Sequence, residues 1–535
     1  MNPVQTLVID NFRGDMTIYK DGNINSGRSW IQTSAGANPF VKPGQLTWNN
    51  APVLIDPNAT VITDLILAGK ERVENGVLYV YAIGHTGRLY KIQVNDPTTY
   101  NPNYDNPVLI ATLTAQSPTF TRGASMEFFG TTEQIYIGHD KGVTRINFNG
   151  SGETFVGVLG SWTQNVPRPM EQFVGKLYIA NGDNLAEVDN TTTVTTYTKL
   201  TPSFPKGTQV RDIDTDPSGT YLQAVVSRIP LPDILATSQN ADATASSESY
   251  VFKWNGTDAG YTSFNTFPTF SLTSNITYGP YEYNFGYDQF GLAMYAPLEK
   301  VIAVAEGESP LPNAVTNVGN IVAYITPIYF GGVQEADLLF WGRYDYEVGN
   351  PGNWDVIFFN ANPPETDVVL TPFLLPVSNT GLGSSTNGYA NNVYSFSKMY
   401  FSALEKSSAP TTTYRLYKWN PISTPDTPAL NPQIDAYYQT QAQMFSKKVQ
   451  IKEVRVYGEP WEEGVAFDID LWGSGSSPIH TQSLSVGTTL TEGDDYAWYN
   501  PECAPTYTIS VGIGQKGTTN HTIDKIEIDY AIGGK

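Results

Sequence analysis

One short pattern recurs along this chain: an apolar strand that ends in a small or polar residue, a tight turn, and a second strand. The clearest copies occupy residues 77–92, 135–146 and 176–188. Repeats of about 40 to 50 residues with several strands each are typical of β-propeller blades. The pattern therefore predicts a propeller, which is a scaffold whose function must be sought in sites attached to it.

The repeat extends well beyond these three copies. The dipeptide Lys-Trp ends a strand at Lys253 and again at Lys418, which supports internal repetition over most of the chain. We expect an all-β fold with an irregular propeller of about seven blades over residues 1–440. Successive repeat units are centred on residues 1–55, 60–110, 117–160, 166–205 and 207–268, with further strands up to about residue 440.

Two segments interrupt the repeats. Residues 236–248 are small and polar, and have nothing to bury, so they predict an exposed loop. The segment from Asn25 to Trp30 resembles a degenerate Asp-box, the hairpin turn motif of sialidase-type propellers, with Asn25 where that motif has Asp. In that motif these residues are structural, so the resemblance implies a blade near the N-terminus.

Residues 441–535 alternate cleanly between apolar and polar side chains, as strands with one buried face do. Five or six such strands are enough for a small C-terminal β-sandwich or jelly roll. Its inward side chains are predicted to be Val449, Ile451, Val454, Val456, Phe467, Ile469, Leu471, Ile509, Val511, Ile526 and Ile528.

Composition limits the classes of partner. The formal net charge of −21 over 535 residues means that the average surface repels nucleic-acid phosphates and anionic membranes. The one cysteine, Cys503, allows no internal disulfide. No stretch has the roughly 20 apolar residues of a membrane span, and the first residues lack the pattern of a signal peptide. We therefore expect a chain that is made and folded in a cytoplasm.

Two of the four histidines occupy equivalent places in the repeat, because Gly84-His85 and Gly138-His139 each end a strand. Equivalent positions in a propeller lie on one face, so His85 and His139 could approach each other as a metal or base site. The alternative is that Gly-His only begins a turn, as Asn181 does in the third copy. No acidic companion has the spacing of a metal ligand set, which favours the turn.

Cys503 lies in a loop flanked by prolines, and His480 and His521 belong to the same predicted domain. A thiol nucleophile needs a neighbouring base and a lowered pKa. Nothing in the local sequence orients either histidine toward the sulfur, which favours a packed, unreactive thiol.

Asp212, Asp214 and Asp216 alternate along one extended stretch. Such carboxylates could bind calcium or take part in glycoside hydrolysis, although solvated turns are the simpler interpretation. A sialidase arrangement also needs three convergent arginines, for which the candidates are Arg72, Arg88, Arg145, Arg211 and Arg228. No phosphate-binding loop, nucleophile elbow or Cys-pair metal motif is present. The sequence therefore predicts no enzyme, with no catalytic, cofactor-binding or metal-binding residues.

The Asn-, Thr-, Tyr- and Gly-rich composition, the irregular blades and the segment 447–460 at the start of the terminal domain carry a resemblance. In these features the chain resembles β-propeller tail structural proteins of tailed bacteriophages, of the nozzle type. The resemblance covers the whole chain in architecture. It implies a virion tail protein, assembled in the host bacterial cytoplasm, that forms a homo-oligomeric ring below the portal and adaptor.

Within such a tail the chain would guide DNA ejection and anchor other tail proteins such as the adaptor and fibres, with DNA present only in passage. An acidic conduit would suit that passage because it does not adhere to phosphate. Two alternatives stay open. One is a virion protein that binds or cleaves glycans, such as a receptor-binding protein or a sialidase-like glycoside hydrolase. The other is a free glycosidase, against which the absence of an acid/base motif counts.

Overall fold

The computed structural model of the chain describes residues 4–10, 12, 15–16, 29–35, 37–38, 45–48, 53–56, 60–94, 105–189, 197–199, 204–228, 248–267, 271–278, 281–288, 291–295, 300–303, 327–330, 338–343, 355–360, 370–374, 393–395, 400–406, 412–418, 437–440, 442–475 and 477–532. In these residues every regular element is a β-strand except one turn of 3-10 helix, Leu159–Ser161. The prediction of an all-β fold is confirmed.

Seven four-stranded antiparallel sheets form among the described residues, and we number them as blades 1 to 7 in chain order. Blade 1 consists of Ile66–Glu74, Val77–Gly84, Arg88–Val94 and Asn106–Thr112, and blade 2 of Ser125–Phe129, Gln134–His139, Gly142–Ile146 and Thr154–Phe155. Blade 3 consists of Met170–Phe173, Lys176–Ala180, Leu185–Val188 and Tyr197–Lys199, and blade 4 of Gln209–Thr215, Leu222–Ser227, Ser249–Trp254 and Ser263–Phe267. Blade 5 consists of Ser271–Tyr278, Tyr281–Asp288, Gly291–Tyr295 and Lys300–Ala303, and blade 6 of Pro327–Phe330, Leu338–Arg343, Asp355–Asn360 and Leu370–Leu374. Blade 7 consists of Val393–Ser395, Tyr400–Lys406, Thr412–Lys418 and Val53–Ile55. The prediction of a propeller with about seven blades is confirmed.

The blades pack face to face, and this explains why their second strands are apolar on both sides. In blade 1, Tyr81 and Ile83 pack toward blade 2, while Val80 and Ala82 pack on the opposite face toward blade 7. A strand buried on both faces reads as a continuous apolar run rather than as an alternating one. The first strands of neighbouring blades contact each other from blade 1 through blade 5, and the first strand of blade 7 contacts that of blade 1.

Blade 7 takes its outermost strand from the other end of the chain. Val53–Ile55 pairs antiparallel with Thr412–Lys418, with Ile55 opposite Leu416. Ile55 and Leu416 are both buried in the apolar cluster that joins blade 7 to blade 1. The ring is therefore closed by a strand from the N-terminal side, so that no blade is left with three strands.

The repeated sequence pattern corresponds to the second and third strands of blades 1 to 3, as the strand bounds confirm. Lys253 and Lys418 both lie at the ends of third strands, in blades 4 and 7. Residues 236–247 of the predicted loop lie outside the described residues. At the two ends of that insertion Arg228 forms an ion pair with Glu248, at 3.4 Å.

The C-terminal strands form two sheets that share long strands and enclose one core. All eleven residues predicted to point inward are buried, none with more than 2% of its surface exposed, so that prediction is confirmed. The strands are Tyr437–Thr440, Gln443–Gly458, Ala466–Trp472, Pro478–Ser485, Tyr496–Tyr499, Thr506–Gln515 and Ile523–Ile532, joined by Val4–Ile9, Asp15–Met16 and Ser29–Ala35. A separate two-stranded pair joins Ala37–Asn38 to Thr47–Trp48.

The N-terminal strands correct one expectation, because they do not form a propeller repeat. Val4–Ile9 pairs with Ile523–Ile532, and Ser29–Ala35 pairs with Tyr437–Thr440. Trp30 therefore lies in a strand of the sandwich and not in a blade, while Asn25 lies outside the described residues. The strand pattern of residues 1–55 identifies strands but does not state their partners, which are about 400 to 500 residues away in sequence.

Replacing Ile55 by Asp should open the ring at blade 7, because the change buries an unpaired charge in the cluster that joins blades 7 and 1. We expect the free energy of unfolding to fall by about 3 kcal/mol or more. Val108→Asp is the matched control, since Val108 lies on the outermost strand of blade 1 and is 47% exposed. It should cost less than about 1 kcal/mol. Equal losses in urea unfolding would contradict this account of the closure.

A second pair of variants tests the sandwich. Ile526→Asp places a charge in its core and should unfold it, whereas Val8→Asp, opposite Glu527 on the adjacent strand and 46% exposed, should not. The loss should be visible as a lowered thermal midpoint and as new protease cleavage after residue 440. Unchanged stability of the Ile526 variant would refute the assignment of the inner face.

Candidate functional site

The turn between the second and third strands of blade 1 is fastened to the segment that leads into the blade. Asp64 in that segment is fully buried and accepts hydrogen bonds from the Thr86 hydroxyl, at 2.6 Å, and the Thr86 backbone N–H, at 3.2 Å. A Cβ atom at Gly84 would lie 2.2 Å from an Asp64 carboxylate oxygen, so only glycine fits there. The glycine of the Gly-His pattern is therefore required by close packing against Asp64, in addition to its place before a turn.

His85 connects blade 1 to blade 7. Its Nδ1 atom contacts the Asp64 carboxylate, and its Nε2 atom lies 3.2 Å from the hydroxyl of Tyr414. The order carboxylate, imidazole, hydroxyl resembles a catalytic relay in form. Burial, followed by the nearby Asp64 charge, raises the pKa of Tyr414, so the phenol stays protonated and is a poor nucleophile. The contact fits a junction between two blades better than a reaction centre.

Blades 2 and 3 repeat this fastening with different residues. In blade 2, Asp140 in the turn accepts from the backbone N–H groups of Thr121 and Arg122, at 2.7 and 2.9 Å. In blade 3, the Asn181 side-chain oxygen accepts from the Thr163 N–H, at 2.7 Å. In each case a buried acceptor in the turn satisfies donors of the segment leading into the same blade. We call these contacts, with Asp64–Thr86 of blade 1, the blade-tip contacts.

His139 is part of the same region of blade 2 and is buried. Its Nδ1 atom accepts from the Lys141 N–H at 3.3 Å, and its Nε2 atom lies 3.1 Å from the Thr144 hydroxyl. Burial, followed by the nearby Arg168 and Lys141 charges, lowers the pKa of His139 to about 3. The ring is therefore neutral at physiological pH and has a hydrogen-bonding partner at each nitrogen.

The structure does not bring His85 and His139, which the sequence offered as a possible pair, into a shared site. The first ring packs against Tyr414, and the second lies between Phe120 and Phe155. In the part of the chain that the structure describes, no group of three or more His, Cys, Asp or Glu residues could hold a metal ion.

Cys503 has the opposite of an activated environment. Burial raises the pKa of its thiol, which disfavours the reactive thiolate. His521 is turned to the N-terminal segment and accepts a hydrogen bond from Trp48 Nε1 at 3.1 Å, while His480 stacks on Tyr499 with ring centroids 5.8 Å apart. The interpretation of an unreactive thiol fits these contacts.

The three alternating aspartates have different surroundings. Asp216 closes a turn, accepting from Ser218 and from the backbone N–H groups of Thr220 and Tyr221, and hydrogen bonding holds its pKa below the ordinary value despite partial burial. Asp212 and Asp214 instead lie within the first strand of blade 4. The interpretation as solvated turns is thus correct for Asp216 only as a turn, since its side chain is buried, and it is wrong for the other two, which lie in a strand.

Four of the arginines considered for a carboxylate-binding triad have separate local partners. Arg72 forms ion pairs with Glu74 and Glu133, at 3.1 and 2.8 Å. The other contacts are Arg88 with Thr63, Arg145 with Gln134, and Arg228 with Glu248. They do not converge as a sialidase site requires.

A chain of polar side chains joins the first strands of blades 1 to 4. Lys70 of blade 1 forms an ion pair with Glu127 of blade 2, which also accepts from Gln172 of blade 3, at 2.7 Å. Next to Gln172, Glu171 lies close to Asp214 of blade 4. Burial, then the charges of Asp214 and Glu127, raises the pKa of Glu171 to about 8. This carboxyl group is therefore mostly protonated at neutral pH.

Sequence reasoning missed Glu171, Glu127 and Tyr414. For Glu127 the signal is an acidic residue within the mainly apolar strand Ser125–Phe129, whereas Glu171 has a polar neighbour in its strand and no comparable signal. The Tyr414 contact with His85 joins residues 329 positions apart and has no sequence signal.

No protein-family model and no curated protein matches this chain. Among solved structures it is similar to the β-propeller domain of Cps50 (Swd1) from Myceliophteria thermophila, at 9% identity, covering 69% of this chain and 100% of that one, with a TM-score of 0.40. It is also similar to the C-terminal WD40 domain of Sif2, at 10% identity over 70% of this chain and 99% of that one, with a TM-score of 0.38. A third is the quinohemoprotein alcohol dehydrogenase ADHIIG from Pseudomonas putida HK5, at 12% identity over 76% and 80%, with a TM-score of 0.36.

Within the described ranges, no helix has the length and apolar character that crossing a membrane requires.

The raised pKa of Glu171 predicts a pH-dependent stability. Its folded value of about 8 lies above the ordinary 4.5, so the group favours folding most at pH below 4.5, and this contribution is lost as the pH rises through 8. Because the unfolded chain ionises above pH 4.5 and the contribution falls from there to pH 8, Glu171→Gln should match the wild type in urea unfolding at pH 4 and exceed it at pH 9, by at most about 4–5 kcal/mol. Glu462→Gln, at an exposed position of the sandwich, is the control. If the variant and the wild type differed in free energy of unfolding by the same amount at both pH values, the conclusion that Glu171 is a protonated acid in the folded chain would be contradicted.

Proposed function

We propose that this chain is a structural component of a bacteriophage tail, of the nozzle type, that assembles as a homo-oligomeric ring around the path of DNA. The blade-tip contacts carry the proposal. Asp64, Asp140 and Asn181 each hold a turn against a neighbouring segment. These contacts make the tips of the blades rigid, and a protein that forms a conduit needs such rigidity.

The protonation states of three candidate bases and nucleophiles, His139, Tyr414 and Cys503, support a protein without catalytic activity. His139 is neutral at physiological pH, Tyr414 keeps its proton, and the thiol of Cys503 is favoured over the thiolate. A nucleophile or general base needs its pKa shifted in the other direction. We therefore propose that the chain is not an enzyme and binds no cofactor or metal for catalysis.

The charge supports a role beside DNA rather than bound to it. A net charge of −21 disfavours adhesion to phosphate, so DNA would pass without being held. The sandwich and long loops such as residues 236–248 are the surfaces proposed to contact neighbouring copies, the adaptor and fibres, since contacts concentrate on loops carried by a rigid scaffold. The location is then the virion tail, after assembly in the host bacterial cytoplasm.

Native mass spectrometry of the purified full chain, together with electron microscopy of the intact particle, tests this proposal. We expect a closed ring of one stoichiometry and density for a seven-bladed propeller in the tail, because a head-to-tail contact that closes gives cyclic symmetry. Absence of the chain from the tail, or its presence only as a monomer outside the virion, would defeat the proposal. Hydrolysis of a sialoside or bacterial polysaccharide that is abolished by Asp214→Asn would do the same.

A further inference from the structure

One face of the sandwich presents large aromatic side chains to solvent in register. Tyr496 and Trp498 lie on the short strand Tyr496–Tyr499, and they are 47% and 57% exposed, while Ala497 and Tyr499 between and after them are buried. The period of two along the strand fixes this outward direction. Single exposed aromatic residues need no explanation, but two on one face of the same strand form a patch, and exposed apolar patches mark binding surfaces.

The strand register places these rings in rows with charged residues. Trp498 lies opposite Arg455, which lies opposite Glu527 on the next strand. In the adjacent row Tyr496 lies opposite Tyr457, which lies opposite Lys525. We call the set Tyr457, Tyr496 and Trp498 the outer aromatic face.

Two of the three rings, those of Tyr457 and Tyr496, are held in place before any ligand binds. Tyr496 stacks with Tyr457, with centroids 6.0 Å apart and planes at 24°. Tyr457 is fixed in turn by the Lys525 ammonium, 4.3 Å from its ring centroid, and by a 3.0 Å hydrogen bond from its hydroxyl to Glu527. Preorganisation of this kind reduces the entropy lost on binding.

Beside the rings lies a set of charged groups that can both donate and accept hydrogen bonds. Arg455 forms ion pairs with Glu527 at 3.1 Å and Asp529 at 2.9 Å, and a longer one with Glu453 at 3.4 Å. Lys525 forms an ion pair with Glu527 at 2.8 Å. The two cations and three carboxylates nearly balance, so the face has polar groups of both kinds and little net charge.

We propose that the outer aromatic face binds a neutral saccharide chain. A sugar ring has a face of C–H groups, which the negative π faces of Tyr496 and Trp498 attract, and an edge of hydroxyl groups, which both donate to carboxylates and accept from Arg and Lys. The rings share two neighbouring rows with charged groups that donate and accept hydrogen bonds, and this arrangement matches both features. The inference goes beyond the structural role proposed above and does not rest on it.

Two other ligand classes fit less well. Nucleic-acid bases also stack on aromatic rings, but Glu527 in these rows, Glu453 and Asp529 in the row beside them, and a net charge of −21 repel the phosphates. The cores of protein interfaces are depleted of charged residues, whereas here five charged side chains lie among the rings. A sugar is the ligand whose chemistry uses both the rings and the charges.

The test uses the full chain and four neutral hexasaccharides, built from glucose, mannose, galactose or N-acetylglucosamine. Binding is followed by calorimetry and by the fluorescence change of Trp498. We expect at least one to bind, and Trp498→Ala or Tyr496→Ala to weaken it about tenfold or more. Trp498→Phe, which keeps a ring, should lie between the wild type and the alanine variant. A hexagalacturonate should bind more weakly than the neutral chain.

Tyr507→Ala is the matched control, since Tyr507 is 50% exposed on a different strand of the same domain and lies outside the aromatic rows. It should change affinity by less than about twofold. Circular dichroism checks that each variant is folded. Absence of binding by all four hexasaccharides at about 5 mM, equal loss in the control, or tighter binding of the hexagalacturonate would overturn the proposal. The proposal would also be overturned if the chain bound no saccharide and Trp498→Ala abolished its self-association, because the face would then be a protein contact.

Discussion

The pairing of Val53–Ile55 with Thr412–Lys418 is the interaction on which the propeller depends. A sheet of three strands in blade 7 would leave an open edge and an uncovered apolar face toward blade 1, where Val80, Ala82 and Tyr90 pack. The strand Val53–Ile55 covers that edge, which requires that residues some 360 positions apart in sequence meet. The short strand is sufficient because Ile55 and Leu416, which lie opposite each other, are both fully buried, so the pair contributes hydrophobic burial as well as ladder hydrogen bonds.

The same N-terminal segment also belongs to the sandwich, and this links the two parts of the chain. Trp48 is fully buried, donates to His521, and has its backbone bound by the Asn520 side chain. Leu46 forms a bridge with Ile523. Only a few residues later the chain enters blade 7. Strain or loss of order at the sandwich would therefore be transmitted to the closure of the ring through a very short connection.

The parts of this fold that could be predicted from sequence are those set by local pattern. Strict alternation identified all eleven inward residues of the sandwich, because the period of two assigns every side chain to a face. The pattern at residues 77–92 likewise predicts two strands and a turn, because these are set by neighbouring residues in the sequence. Pairing between distant strands has no such signal, so Val4–Ile9 was placed in the propeller although it lies beside Ile523–Ile532. The perturbed pKa of Glu171 likewise depends on residues from three blades.

The histidines illustrate how far a repeated residue can be interpreted. His85 and His139 stand at one position of the repeat, and the glycine before each has the same cause, a neighbouring segment that approaches too closely for a Cβ atom. At Gly138 the obstructing atoms belong to Ser125 and Arg168, whereas at Gly84 they belong to Asp64. The histidines then take different partners, since His85 contacts Tyr414 of blade 7 whereas His139 is hydrogen-bonded to Lys141 and Thr144 of its own blade. Repetition in a propeller thus preserves the backbone requirement, while the side-chain contacts vary from blade to blade.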